Sequence, residues 1–365
     1  MQGVKVTGIG IYLPERIVTN EEIAEILRCR RNDFIAKGLI RSDDPRLEQF
    51  NCDPDWIRQR TGIRERRHAG PNEATSDLAV KAAESALKMA GLRREAVEFV
   101  VLATVTPDHP ATPPTASIVQ HKLGLPHTAV FDVSVACSSF VSALELGYSL
   151  VRSGLHKAGL VIGADVMERI ISWNDRSMLP LFGSAGGCFV LEETSQAEDQ
   201  FGPNNFSSGS DGSLADLIVT PKGGSRAAIE VSTLTDPFDQ GHTFKMQGRT
   251  VFKTVVPLMA GLVIPQALKK AGLRLEEVDA MIFHQANARI TEPVVEQLGF
   301  KGVVYNNIER YGNTTSASIP LCLYEAIRDG AVKLGMRVLL VVFGGGLAWA
   351  TGFWRCGLDP EEFAR

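Results

Sequence analysis

Cysteine 137 sits in the segment Phe131-Asp132-Val133-Ser134-Val135-Ala136-Cys137-Ser138-Ser139-Phe140-Val141-Ser142-Ala143-Leu144. The left half of this segment reads as a buried strand that ends in small residues. The right half carries apolar residues at Phe140, Val141, Leu144 and Leu146, which is helical spacing. A cysteine at such a junction lies beside the first free N–H groups of a helix. Those groups and the helix dipole favour negative charge, and so favour thiolate over thiol. The chemistry on offer is nucleophilic attack. The alternative at this point is a small buried apolar residue, the commoner fate of a free cysteine.

The elements that must position Cys137 occur twice in the chain. Ala90-Gly91-Leu92-Arg93-Arg94-Glu95-Ala96-Val97 and the strand after it resemble Ala271-Gly272-Leu273-Arg274-Leu275-Glu276-Glu277-Val278 and its strand, 181 residues on. Val151-Arg152-Ser153-Gly154-Leu155-His156-Lys157 is echoed by Ile327-Arg328-Asp329-Gly330-Ala331-Val332-Lys333, 176 residues on. Each reads as a helix closed by glycine. Two echoes in one order argue for duplicated halves, residues 1–195 and 196–365. Alternating strands and helices in each half imply an α/β fold with mostly parallel sheets. The 176-residue offset carries Cys137 onto Asn313, and the 181-residue offset places His284 directly after a strand opposite Ala103. A functional group just past a strand's carboxyl end sits where α/β proteins assemble their sites. Cys137, His284 and Asn313 are therefore expected to converge between the halves.

Composition narrows the function classes. The chain has 365 residues, 44% hydrophobic and 22% charged, with a net charge of −4. That is ordinary for a globular protein, and it gives no pull toward nucleic acid or a membrane surface. The six cysteines are scattered with no C-x-x-C pair, which disfavours a disulfide framework or a structural metal site and fits a reducing cytoplasm. No signal peptide is legible at the N-terminus. The longest contiguous apolar run, Val338–Phe343, is too short to cross a bilayer.

The motifs, taken in order, resemble those of β-ketoacyl-acyl carrier protein synthase III in the thiolase superfamily. They include Gly8-Ile9-Gly10-Ile11-Tyr12-Leu13-Pro14, Asp55-Trp56-Ile57, Arg60-Thr61-Gly62-Ile63-Arg64-Glu65-Arg66-Arg67 and Ala136-Cys137-Ser138. In the C-terminal half they include Met246-Gln247-Gly248, Val251-Phe252-Lys253, His284-Gln285-Ala286-Asn287-Ala288-Arg289, Tyr311-Gly312-Asn313-Thr314 and Phe343-Gly344-Gly345-Gly346. The resemblance covers nearly the whole chain. It implies a thiolase-like fold, two βαβαβ-type halves in a five-layer αβαβα sandwich, working as a homodimer.

The resemblance also implies roles. Cys137 would take an acyl group from acyl-CoA. His284 and Asn313 would donate hydrogen bonds to the enolate left when a malonyl thioester on acyl carrier protein loses carbon dioxide. Neutral donors suit that task, because they stabilise an oxyanion without protonating the carbanion. The N–H groups of Cys137 and Gly345 would form an oxyanion hole for acyl transfer. Trp56 and Arg176 would sandwich the adenine of coenzyme A, with Arg60 and Thr61 beside it. Met246, Gly248, Phe252 and Asn287 would line the pantetheine channel. Lys253 and Arg289 would meet the carrier protein, and Thr112 and Phe343 the acyl chain. The five arginines between Arg58 and Arg67 lack interleaved aromatics, which suits a nucleotide ligand better than a nucleic acid. No metal or resident cofactor is expected; acyl-CoA enters as substrate.

Several positions depart from the family pattern. Leu27–Asp53 is longer than usual and reads as a helical insertion with an exposed loop near the mouth of the coenzyme A site. Ser184 stands where the family has aspartate, Phe283 where it has proline, and Ser138-Ser139 replace a glycine-containing pair. Thr112 falls where some members close the acyl pocket with phenylalanine, so primers longer than acetyl are expected. An acyltransferase of the same fold that moves acyl groups to oxygen or nitrogen is the competing enzyme. A thioester-binding protein on an inactive scaffold is the competing non-enzyme. Retention of Cys137, His284 and Asn313 together favours condensation.

Overall fold

The computed structural model describes residues 1–364 except 231–235, 237, 239 and 240. After β1 (Gly3–Tyr12) comes a short antiparallel ribbon of β2 (Arg16–Thr19) with β3 (Glu65–His68). Strands β4 (Phe99–Ala103), β5 (Ala129–Val133), β6 (Ala158–Asp165) and β7 (Ala185–Thr194) join β1 in one sheet, ordered β1-β7-β6-β4-β5. The second half repeats the plan with β8 (Phe206–Ser210), a small ribbon of β9 (Ile218–Val219) and β10 (Lys245–Met246), β11 (Ala280–Phe283), β12 (Val303–Val304), β13 (Arg337–Gly344) and β14 (Ala348–Arg355). Its sheet is ordered β12-β11-β13-β14-β8. In each sheet the three strands at one edge, β5-β4-β6 and β12-β11-β13, are parallel, and the two that follow toward the other edge are joined by antiparallel pairing. Strand order and polarity therefore match between halves, as the duplicated sequence segments require. Strands such as Phe99-Val100-Val101-Leu102-Ala103 are apolar on both faces because helices cover both faces.

The helices are α1 (Asn20–Ala36), α2 (Pro54–Thr61), α3 (Thr75–Ala90), α4 (Thr115–Lys122), α5 (Ser139–Arg152), α6 (Gly248–Leu258), α7 (Ile264–Ala271), α8 (Ala288–Leu298), α9 (Ile308–Tyr311) and α10 (Ser318–Arg328). Helices α5 and α10 lie between the sheets, where Phe140, Leu144 and Val151 of one and Ile319, Leu323 and Ile327 of the other share a core with residues of both sheets. Helices α3 and α4 cover the outer face of the first sheet. Helices α6, α7 and α8 cover the outer face of the second. The result is the five-layer, thiolase-like sandwich.

Two details correct the sequence reading. The structural offset at the centre is 179, because α5 begins at Ser139 and α10 at Ser318. The two residues held at positive φ just before those helices, Ala136 (48°) and Thr315 (45°), are also 179 apart. The pseudo-symmetric partner of Cys137 is thus Ser316, and Asn313 lies three residues earlier in the approach loop. The echo at the helix ends, 176 residues apart, placed Asn313 at the mirror position because α10 has 11 residues where α5 has 14. Second, a π-helical turn, Met259–Val263, joins α6 to α7. The resulting 24-residue helix, Gly248–Ala271, is long and apolar enough by length and composition to span a bilayer. A search for contiguous apolar runs misses it. Its Val251, Val255, Met259 and Ile264 are buried against the second sheet, as in an amphipathic core helix.

The Leu27–Asp53 segment continues α1, passes through an exposed stretch and ends in a 3₁₀ turn, Pro45–Phe50. Leu47 and Phe50 of that turn are buried with Ile23, Leu27, Ile57, Met178 and Leu179.

Candidate active site

One cavity of about 680 Å3 gathers almost all of the residues singled out by sequence. Cys137, His284 and Asn313 line it at the inner end, with Phe343 beside them. Trp56, Arg60, Thr61 and Arg176 line it toward α2, and Met246, Gly248, Phe252 and Asn287 line its wall. Exposed Lys253 and Arg289 stand on its rim. Thr112 does not reach it; it lies in an exposed loop of the single chain.

Cys137 follows a tight elbow. Ala136 adopts φ of 48°, a left-handed conformation that costs a non-glycine residue energy and must be held by its surroundings. The two serines that replace the usual glycine-containing pair do the holding. The Ser139 hydroxyl donates to the Ala136 carbonyl at 2.6 Å and accepts from the Val135 N–H at 2.7 Å. The Ser138 hydroxyl donates to the Ala348 carbonyl of the other half at 3.0 Å.

Sequence reasoning expected the helix start to favour thiolate. The structure shows the opposing effect to be larger. The sulfur is reachable from the cavity yet surrounded by protein atoms, and burial together with the Asp165 charge pushes the thiol up to about 12. The Cys137 backbone N–H pulls the other way, more weakly. The resting nucleophile is therefore a thiol that sheds its proton as it attacks.

His284 extends β11, its N–H donating to the Val341 carbonyl at 2.8 Å. The next residue anchors the loop: the Gln285 N–H donates to the Ser318 hydroxyl at 2.7 Å, and its side-chain oxygen accepts from the Asn307 and Ile308 N–H groups at 3.1 and 3.2 Å. The imidazole is 2% exposed, and neither ring nitrogen has a protein partner. Burial holds it down at about 3, so the ring is neutral and keeps one N–H to donate. Asn313 is set by its backbone, which donates to the Leu181 carbonyl at 2.8 Å and accepts from the Gly183 N–H at 3.0 Å. Its side-chain oxygen accepts from the Thr315 N–H at 2.8 Å. A backbone donor requires the oxygen there, which leaves the amide NH₂ for the cavity.

The pseudo-symmetry explains why there is one site and not two. The last residue of β6 is Asp165, and the last residue of β13, 179 positions on, is Gly344. Fully buried Asp165 fills its half: one oxygen accepts from Thr104, Val105 and Thr106, the other from the Thr315 hydroxyl and the Ser316 N–H. In the other half a Cβ on Gly344 would lie 2.6 Å from the Cys137 nitrogen. Only glycine leaves space there. Sequence reasoning assigned backbone in this turn to Gly345, which faces Ala136 and Ile218; Gly344, which packs on Cys137 itself, was missed.

At the mouth, the Arg176 and Arg60 guanidinium carbons lie 5.2 and 5.9 Å from the Trp56 ring centroid. Thr61 lines the cavity, but its hydroxyl already donates to the Ile57 carbonyl at 2.7 Å and accepts from the Ile63 N–H at 3.0 Å. Asn287 caps α8 and donates to the Arg60 carbonyl at 3.2 Å. Exposed Arg249 also lines the cavity, one turn before Lys253 on α6; that four-residue spacing on a helix was the available signal. Among the described residues, no group of His, Cys, Asp and Glu could hold a metal ion.

Ser184, in place of an aspartate, still has a carboxyl group in its corner, one that burial pushes up. Its hydroxyl donates to the buried carboxylate of Glu168, which also accepts from the Ala69 N–H at 2.6 Å. Beside it His68 is 1% exposed and packs edge-on against Trp173 at 5.8 Å. Burial, aided by Arg66 and Arg16, lowers His68 to about 4 from 6.5. The unfolded chain therefore binds more protons than the native one between those values, and stability falls as pH drops from 6.5 toward 4. His68→Gln is expected to flatten this dependence by up to about 1.4 kcal/mol per pH unit, measured by urea unfolding. Equal slopes for variant and parent would mean that His68 binds its proton equally well in the folded and unfolded chains.

Comparison with known proteins points to one family along the chain. Residues 131–212 match the family 3-oxoacyl-[acyl-carrier-protein (ACP)] synthase III, and residues 268–356 match its C-terminal part. A β-ketoacyl-[acyl-carrier-protein] synthase III of Clostridium perfringens is 39% identical over 357 residues, covering 96% of this chain and 98% of its own. The enzyme of the same name from Caldanaerobacter subterraneus is 38% identical, covering 95% and 96%. The crystal structure of 3-oxoacyl-(acyl carrier protein) synthase III from Pseudomonas aeruginosa superposes with a TM-score of 0.82 at 34% identity, covering 98% of this chain and 99% of that one.

Proposed function

The chain belongs to the 3-oxoacyl-[acyl-carrier-protein] synthase III family, and from that premise we propose which of its residues carry out each step. The protein is a condensing transferase of fatty-acid biosynthesis, primed by acyl-CoA and extended by malonyl-acyl carrier protein. In the first half-reaction the Cys137 thiol attacks the acyl-CoA carbonyl. A carbon–sulfur bond forms to Cys137, the bond to coenzyme A breaks, and the proton leaves with the coenzyme A thiol. The Cys137 N–H and the backbone of the Gly344–Gly345 turn face the developing oxyanion. In the second, the malonyl thioester loses carbon dioxide and the electron pair becomes an enolate. His284 and Asn313 donate to its oxygen. The enolate carbon then attacks the acyl carbonyl, and Cys137 leaves as thiolate and regains a proton.

The observation that carries this reading is a pair of neutral, uncommitted donors in the cavity of a free cysteine: the unpartnered His284 ring and the Asn313 amide held through its oxygen. A neutral imidazole by itself also suits a base for transfer to oxygen or nitrogen; a second amide donor beside it suits an enolate oxygen, so condensation is favoured over the acyltransferase. Trp56, Arg60, Arg176, Met246, Gly248, Phe252 and Asn287 are read as the coenzyme A channel, with Thr61 contributing packing. Arg249, Lys253 and Arg289 are read as the landing site for the acidic carrier protein.

Primers longer than acetyl are part of the proposal. Ile218 and Phe244 line the Cys137 cavity and also a second cavity of about 470 Å3 bounded by Val105, Ala136 and Gly345. That chamber shares Val105, Ser134 and Thr220 with a third of about 720 Å3 reaching Asp108 and Pro110. Thr112 stands in the same loop, with the free edge of β5 and its half-exposed Phe131 nearby in sequence. An open sheet edge of this kind favours pairing with a second copy, which supports a homodimer closing the far end of the acyl pocket. Free cysteines at all six positions fit a cytoplasmic setting. The halves are taken as residues 1–195 and 196–365.

The test is a primer panel. Butyryl-, octanoyl- and decanoyl-CoA are expected to be used with kcat/KM at least equal to acetyl-CoA, assayed with malonyl-acyl carrier protein. Strict preference for acetyl-CoA would overturn the primer assignment.

A further inference from the structure

The inserted Leu27–Asp53 segment touches both walls of the mouth. Its 3₁₀ turn, Pro45–Phe50, is held by buried Leu47 and Phe50, at 6% and 2% exposure, which pack with Ile57 on one side and Met178 and Leu179 on the other. Those neighbours flank Trp56 and Arg176. The turn grips Arg176 directly. The Arg176 N–H donates to the Gln49 carbonyl at 3.0 Å. Its Nη1 meets the Glu48 carboxylate at 2.7 Å and the Asn51 carbonyl. Two residues further on, the Asp53 carboxylate accepts the Trp56 N–H at 2.8 Å and so caps the helix that carries the indole. From α1, Arg30 donates to the Asn174 side chain at 3.0 Å.

We propose that this turn is a brace for the nucleotide end of acyl-CoA, with Glu48 the positioning residue that presents Arg176 face-on opposite Trp56. Glu48 and the Asn51 carbonyl engage the edge of the guanidinium, which leaves its flat faces for stacking on a base. The carboxylate also offsets the Arg176 charge, so phosphate recognition falls to other basic residues at the mouth. This inference rests on the coenzyme A reading of Trp56 and Arg176.

The test compares acyl-CoA with the same acyl group on N-acetylcysteamine, which keeps the thioester and lacks the nucleotide. Glu48→Ala is expected to raise KM for acyl-CoA about three- to fivefold, the range for a partly exposed ion pair. kcat and the kinetics of the N-acetylcysteamine thioester should not change. Arg176→Lys keeps the charge but removes the plate, and is expected to show the same selectivity with a larger shift. Trp56→Ala serves as the reference for the site itself. If Trp56→Ala is selective for acyl-CoA and Glu48→Ala is inert, the brace is wrong and the site stands. If neither discriminates the two thioesters, the coenzyme A site falls and the brace with it. Equal losses on both thioesters for Glu48→Ala would reduce the turn to general support of the fold and overturn the proposal.

Discussion

Cys137→Ala is expected to abolish the single acyl adduct that the parent protein acquires on incubation with acyl-CoA, read by intact-mass spectrometry. Turnover should fall at least about a thousandfold, because removal of the nucleophile eliminates the covalent route altogether. The other cysteines offer no substitute. Cys188, Cys322 and Cys356 are buried in the core. Burial pushes Cys52 up to about 11, and exposed Cys29 hydrogen-bonds Glu25, which raises it as well. Among the described residues, Cys137 is the one cysteine that lines the cavity shared with His284 and Asn313. Retention of the adduct in Cys137→Ala would place the nucleophile elsewhere and sink the mechanism.

Asn313→Ala and His284→Ala are expected to separate the two half-reactions. Both variants should still form the Cys137 adduct, since neither group is needed for thiol attack on the primer. Both should lose condensation by about a hundred- to a thousandfold, the usual consequence of deleting one oxyanion donor. Asn313→Asp should be at least as damaging, because a carboxylate would repel the enolate that the amide stabilises. The readouts are intact mass for acylation and carbon dioxide release from the malonyl thioester for condensation. Variants that lost acylation and condensation in parallel would show that the two donors act on both steps. A parent enzyme that formed the adduct but never consumed malonyl thioester would favour the acyltransferase.

Legibility in the sequence varied with the range of the interaction involved. The repeat around Gly91 and Gly272 was visible because a helix closed by glycine followed by an apolar strand is a local signal, and both glycines adopt the expected positive φ of 63° and 68°. The Cys137, His284 and Asn313 motifs were visible because each lies in a short run whose residue types suit one chemistry. The symmetry centre was misplaced by three residues, since α10 is three residues shorter than α5 and the echo lies at the helix ends. Arg249 drew no expectation from sequence, and its place on the cavity wall follows from the face of α6 it shares with Lys253.

What the sequence by itself determined was the duplicated α/β plan and the three residue types at its centre, because hydrophobic period, caps and motif spacing are short-range. Tertiary structure alone decided their electrostatics and their number. Cys137 rests as a thiol because burial, part of it under Gly344 of the other half, and the charge of Asp165 outweigh the helix start. Asp165 reaches the Thr315–Ser316 turn some 150 residues away and fills one of two pseudo-equivalent sites, while Gly344 keeps the other open. Desolvation and occupancy of space depend on which distant segments meet, and residue spacing carries no record of that until the chain has folded.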